Sequence, residues 1–273
     1  MLRVRSLVAF VVVSLVSGGA FAQSVDAPAA PRVPLDDPTG GAYTAPTTLF
    51  TPAAALPRFN ARVTLGADVQ PTGVFSPVRP LITAEIGLPA GFTLAAGTTF
   101  FGGDQSRVAD EFTPFVQVRY HIFGRPDGHG WQVGVSLTGK RVGYNAGDPE
   151  IEASFQVQYR ARRWEVGAQG TFGQSLTEAD GHDVEGRVYA AWRVIPSLAL
   201  GVAAQARVDV GDGSPAEEAA RAARGLPELD LIGGALASWT YERWQLGALA
   251  GASTIGFANG AAFIGQAFGT VRF

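Results

Sequence analysis

FNARVTLGADV, residues 59–69, alternates apolar and polar side chains without a break. Phe59, Ala61, Val63, Leu65, Ala67 and Val69 share one face; Asn60, Arg62, Thr64, Gly66 and Asp68 share the other. Side chains alternate across a strand, so the stretch is a strand with one greasy wall and one polar wall. It is also long. Soluble strands most often have about 5–6 residues, whereas a tilted strand needs about 9–11 to cross a bilayer.

The same period recurs as far as residue 273. Val116, Val118, Tyr120 and Ile122 oppose Gln117, Arg119 and His121; Trp131, Val133, Val135 and Leu137 oppose Gln132, Gly134, Ser136 and Thr138. Trp164, Val166, Ala168 and Phe172 oppose Glu165, Gly167, Gln169 and Thr171. The pattern predicts about twelve strands, each roughly 9–13 residues long. Short turns fall at LPAG (88–91), GRPDGHG (124–130), ARR (161–163), IPS (195–197) and YER (241–243). Longer connections alternate with them, near residues 70–80, 101–112, 142–150, 173–183, 210–228 and 253–261. Short turns on one rim and long loops on the other are the rhythm of an outer-membrane barrel.

Aromatic placement agrees. Trp131, Trp164, Trp192, Trp239 and Trp244 all lie at strand ends beside short turns, with Tyr120, Tyr159 and Tyr241 on the same apolar face. Amphipathic rings prefer the boundary between hydrocarbon and head groups, so these form a girdle. Phe100 and Phe172 are candidates for a thinner girdle at the other rim. A soluble sandwich would alternate too, but would need neither the strand length nor the segregated tryptophans. The fold class expected is all-β: a transmembrane antiparallel up-and-down barrel over residues 58–273.

Composition supports a membrane site. The 273 residues are 47% hydrophobic and only 16% charged, against a usual charged share of about 25%. Beyond the N-terminus no apolar run approaches the ~18 residues of a spanning helix. Residues 1–22 read as a signal peptide, with Arg3 and Arg5, an apolar core from Leu7 to Val16, and Ala20-Phe21-Ala22 as a small-x-small cleavage site. Residues 23–57 are rich in Pro, Ala and Thr, and read as a periplasmic linker or docked plug. The chain contains no Cys, which excludes disulfides and thiolate metal sites. Its net charge of −3 becomes more acidic without Arg3 and Arg5, which argues against nucleic acid as a partner.

The ending AFIGQAFGTVRF, residues 262–273, resembles the last strand of Gram-negative outer-membrane β-barrel proteins of the small porin-like class. In that family the final residue is typically Phe, with hydrophobic residues at alternate positions before it. Phe263, Val271 and Phe273 match; Gly265 and Gly269 depart from the bulky pattern. The resemblance implies an assembly signal read by the barrel-assembly machinery, outer-membrane lipids as surroundings, and both barrel termini on the periplasmic side. It leaves open which solutes, if any, are carried.

The polar face supplies the candidate pore-lining residues: Arg62, Asp68, Glu85, Arg119, Lys140, Glu152, Arg160, Glu165, Glu185, Arg187, Arg193, Arg207 and Asp209. Charges on the lipid face would be costly, which accounts for their side. They fit either a salt-bridged, plugged interior or a narrow hydrated channel with a slightly basic wall. Inward glycines, among them Gly66, Gly87, Gly97, Gly134, Gly167, Gly201, Gly247 and Gly251, either widen the lumen or permit close packing. The last four strands turn smaller, greasier residues inward: Ala199, Ala203, Leu236, Leu249, Ile264 and Phe268. Leu49, Phe50 and Leu56 are expected to dock there as a plug.

Carboxylates gather in the long connections, namely Asp104, Asp110, Glu111, Asp148, Glu150, Glu178, Asp180, Asp183, Glu217, Glu218 and Glu228. None follows the spacing of a dedicated cation loop, so no metal or cofactor is expected. SPAEEAARAARG, residues 214–225, carries the caps of a short helix. His121, His129 and His182 are expected at different heights, and no G-x-S-x-G or H-E-x-x-H occurs. The expectation is a passive channel for small hydrophilic solutes and no enzyme. The competing readings are a non-conducting structural or adhesive barrel that presents acidic loops and, more remotely, a membrane-embedded hydrolase.

Overall fold

The computed structural model describes residues 50–69, 78–100, 112–125, 128–141, 149–176, 182–209, 229–253 and 263–273. Twelve strands close on themselves. They are β1 (Ala61–Val69), β2 (Val78–Gly87), β3 (Phe92–Phe100), β4 (Phe112–Phe123), β5 (Gly130–Arg141), β6 (Pro149–Arg160), β7 (Trp164–Ser175), β8 (His182–Ile195), β9 (Leu198–Asp209), β10 (Leu229–Tyr241), β11 (Trp244–Ser253) and β12 (Phe263–Arg272). Each pairs antiparallel with its sequence neighbours, and β1 pairs with β12. The five short turns fall where the sequence places them.

The seam between β1 and β12 runs from Arg62 opposite Arg272 to Val69 opposite Gly265. Beyond it, Phe273 donates to the Ala61 carbonyl at 2.9 Å, and Ala61 donates back at 3.3 Å. Lipid cannot satisfy a free strand edge, so this closure is what permits the sheet to stand in a membrane.

Burial is inverted relative to a soluble protein. Along β7, Val166 and Phe172 are 38% and 43% exposed, whereas Glu165, Gln169 and Thr171 are 2%, 5% and 6% exposed. The period-two pattern thus places the apolar face outside and the polar face in the lumen. At the short-turn rim the aromatic residues meet in pairs: Trp164 with Trp192 at 4.2 Å, Phe92 with Tyr120 at 4.7 Å, Trp131 with Tyr159 at 5.1 Å, and Trp239 with Tyr241 at 5.8 Å between centroids.

Two features depart from the expected pattern. The registers of β4 with β5 and of β8 with β9 each shift by a residue, between His121 and Phe123 and between Arg193 and Ile195. Both shifts adjoin short turns, where a bulge bends a strand into its hairpin. Glu150 and Asp183, expected in long loops, instead stand in β6 and β8 and turn toward the lumen, because cationic partners on β5 and β9 meet them there. Residues 1–49, the 214–225 helix signal and the other loop carboxylates lie outside the described residues.

Candidate functional site in the barrel lumen

The inward charges assemble into neutralising groups. Near the short-turn rim, Arg62 forks onto Glu85, with Nε to Oε1 at 2.9 Å and Nη2 to Oε2 at 2.7 Å. Arg119 pairs with the same carboxylate. The cause is register: Arg62 faces Glu85 across β1–β2, and Arg119 projects inward from β4, one strand beyond β3. Two buried guanidiniums therefore share one carboxylate, and bidentate, charge-assisted bonds are among the stronger polar contacts.

A second group lies on the same level. Tyr189 donates to Glu165 Oε1 at 3.1 Å, Arg193 to Oε2 at 3.3 Å, and Gln158 Nε2 to the Tyr189 hydroxyl at 3.1 Å. Arg160 is buried beside them, opposite Glu165 in register. Toward the long-loop rim, Lys140 bridges Glu152 at 2.7 Å and Glu150 at 3.2 Å; Arg187 pairs with Glu185, and Arg207 with Asp183 at 3.0 Å. Carboxylate oxygens of Glu150, Glu152 and Asp183 lie within 4.8 Å of one another, with Lys140 and Arg207 as their counter-charges. Asp68 and Asp209 belong to β1 and β9, but their side chains fall outside the described part.

These groups polarise the lumen. At the short-turn end, Arg62, Arg119, Arg160 and Arg193 face Glu85 and Glu165; at the long-loop end, Lys140, Arg187 and Arg207 face Glu150, Glu152, Asp183 and Glu185. Among the described residues the balance is basic near the short turns and acidic near the loops. Such an arrangement focuses a field along the passage.

Residues 50–57 cross the short-turn half of the lumen as a strap. Thr51 N donates to Gln169 Oε1 at 2.9 Å, Ala53 N to Gln158 Oε1 at 2.6 Å, and Leu56 N to Thr93 Oγ1 at 3.1 Å. The Phe50 ring stands edge-on to Tyr189 at 4.8 Å. Inward glycines make room for it. A Cβ at Gly87 would fall 2.6 Å from the Leu56 carbonyl oxygen, one at Gly134 2.7 Å from that of Ala53, and one at Gly167 2.9 Å from the Phe50 ring. Close packing is thus the role of these glycines, and likewise of Gly97 under Phe115 and Gly247 under Phe268. Gly134→Val should displace the strap. In this Cys-free chain, Ala53→Cys provides the reporter: maleimide labelling of folded barrels should accelerate several-fold when the valine is added, and unchanged labelling would contradict the seat.

The strap differs from the expected plug in where it is held. The three backbone hydrogen bonds above run to β3, β6 and β7. Its apolar side chains do reach the greasy wall: Phe50 and Ala54 join Tyr189, Ala191, Ala199, Ala203, Ile232, Leu236, Leu249 and Ile264 in one buried cluster. The sequence reading also passed over Thr93, Gln158, Gln169 and Tyr189, which hold the strap. Their signal was present as uncharged polar residues on inward positions, but nothing in a sequence says which of these meets backbone.

The histidines separate differently from expectation. His121 and His129 come together at the β4–β5 turn, joined by Gln132: its Oε1 lies 2.8 Å from His121 Nε2, and its Nε2 donates to the His129 carbonyl at 3.1 Å. They line a hollow of about 520 Å³ with Ile122, Phe123, Gly124, Arg125, Gly130 and Trp131. Both sit at the end of the β4–β5 hairpin, beside the β4 register shift. Among the described residues, no hydroxyl or carboxylate side chain lines this hollow. His182, at the other rim, stacks on Phe172.

No family model and no curated protein matches the chain. Its fold does match solved structures. The NanC porin superimposes with a TM-score of 0.55 at 7% identity, over 77% of this chain and 98% of that one. The KdgM porin gives 0.52 at 8%, over 78% and 99%. An outer-membrane channel from Pseudomonas putida F1 gives 0.54 at 12%, over 82% and 100%. At such identities the likeness carries the fold alone. With the closed twelve-strand sheet and its apolar exterior, it gives this chain the fold of a transmembrane β-barrel, the fold that the resemblance of its ending implied.

Proposed function

We propose that the chain is a porin-like channel for small hydrophilic solutes, narrowed in its short-turn half by residues 50–57. One observation carries the reading. The wall does not fill its own interior there; glycines at 87, 134 and 167 leave room that a separate stretch of chain occupies. A barrel of about eight strands fills its lumen with wall side chains, whereas this twelve-stranded wall leaves space. The basic inner end favours anionic and neutral solutes over cations.

In the same reading, residues 1–22 direct export and are removed near Gln23. The short turns and the aromatic girdle face the periplasm, and the assembly machinery reads Phe263, Val271 and Phe273. Liposome swelling tests the channel. Vesicles containing the folded protein should swell at rates that fall with solute size, from glycine to disaccharides. No swelling, with or without residues 50–57, would favour the loop-presenting barrel instead.

A further inference from the structure

The lumen has two unlike walls at mid-height. β1–β8 present paired charges and amides, while β9–β12 present Ala199, Ala203, Ile232, Leu236, Leu249, Ile264 and Phe268, each 6% exposed or less. Leu236 and Leu249 stand directly opposite each other across β10–β11. A passage used by sugars or salts alone has no need of this face, since apolar lining weakens hydration without offering a hydrogen bond. In this structure the strap contributes Phe50 and Ala54 to its cover.

Both edges of the apolar wall end in guanidinium groups. On one side, Arg193 of β8 lies opposite Ala199 in register. On the other, β12 continues across the seam to β1, where Arg62 and Arg119 share Glu85. Arg119 is 6% exposed, and its Nε finds no hydrogen-bond partner among the described residues. A buried guanidinium N–H left in this way calls for an acceptor. Phe50 itself shows what fits in the buried apolar cluster: an aryl ring, edge-on to Tyr189 and over Gly167.

We infer that the lumen contains a binding site for small amphipathic carboxylates, those bearing an aryl or branched alkyl group, and that Phe50 occupies its apolar half. The apolar group lies against Leu236, Leu249 and Tyr189 in place of the Phe50 ring. The carboxylate turns toward the basic short-turn end. Ligand and strap therefore compete, so the solute that fills the site also helps release the constriction. The inference rests on the channel reading for its purpose, but binding can be read without transport.

Saturation-transfer NMR on the folded, detergent-solubilised barrel tests it, with phenylacetate, acetate and 2-phenylethanol as probes. Unboiled gel mobility confirms folding of every variant. Phenylacetate should bind several-fold more strongly than acetate or 2-phenylethanol. Phe50→Ala should strengthen phenylacetate binding several-fold, and Leu236→Ser should weaken it. Equal phenylacetate signals from the parent, Phe50→Ala and Leu236→Ser barrels would overturn the site. A barrel that conducts without preferring phenylacetate loses this inference and keeps the channel; one that binds phenylacetate without conducting keeps the site and loses the channel.

Discussion

Glu85→Ala is expected to be the most damaging single substitution in the barrel wall. The carboxylate accepts two bonds from Arg62, at 2.9 and 2.7 Å, and pairs with Arg119 as well. Both arginines are nearly sealed from solvent, at 3% and 6% exposure. Breaking a buried ion pair by removing one partner costs about 3–5 kcal/mol, because a buried charge is left uncompensated. Here one deletion removes the carboxylate that two buried guanidiniums share. Arg119→Met is the control, since it leaves Arg62 and Glu85 as a neutral bidentate pair. The folded form should survive to a distinctly lower temperature for Glu85→Ala than for Arg119→Met, as read from unboiled gel mobility after stepwise heating. Equal losses would mean that the shared carboxylate does not organise this end of the lumen.

Deleting Phe273 is expected to reduce assembly several-fold while leaving the assembled barrels unchanged. Phe273 completes the seam through two backbone hydrogen bonds with Ala61, and its ring is 68% exposed at the aromatic rim. Its loss removes the last closing pair and a ring that prefers the head-group boundary. It removes nothing from the lumen. The check is the fraction of membrane-associated chain that migrates as folded before boiling, followed by the conductance of that fraction. A normal folded fraction would contradict the role given to this residue, and reduced assembly with altered conductance would place its effect in the passage.

Much of this architecture was legible in the sequence because a membrane barrel is governed by a strict local rule. A strand must be greasy on its lipid face, and most strands here are polar inside, so FNARVTLGADV already specifies faces, length and surroundings. The turns were legible for a related reason: LPAG and YER interrupt the alternation. The bulges at His121 and Arg193 were not, because one extra residue in a strand leaves the composition unchanged. His121 and His129 meet beside the first of them, against expectation.

The lumen was legible only as a list of inward residues. Alternation places Arg62, Glu85 and Arg119 inside, but their meeting depends on the registers of three hairpins. Glu150 and Asp183 read as loop carboxylates because strand ends look like loop when acidic. The glycines illustrate the limit most clearly. Gly134 and Gly167 are the same in sequence whether they widen a passage or seat a strap, and only the position of Ala53 and Phe50 distinguishes the two.

The most direct test of the central claim is planar-bilayer conductance of two proteins side by side: the mature chain and a variant lacking residues 50–57. Both should form the folded, heat-modifiable barrel. The account predicts discrete channels from both, several-fold larger in the variant, with anions carrying more of the current when a salt gradient is imposed. Folded barrels that conduct equally with and without the strap, or not at all, would contradict it.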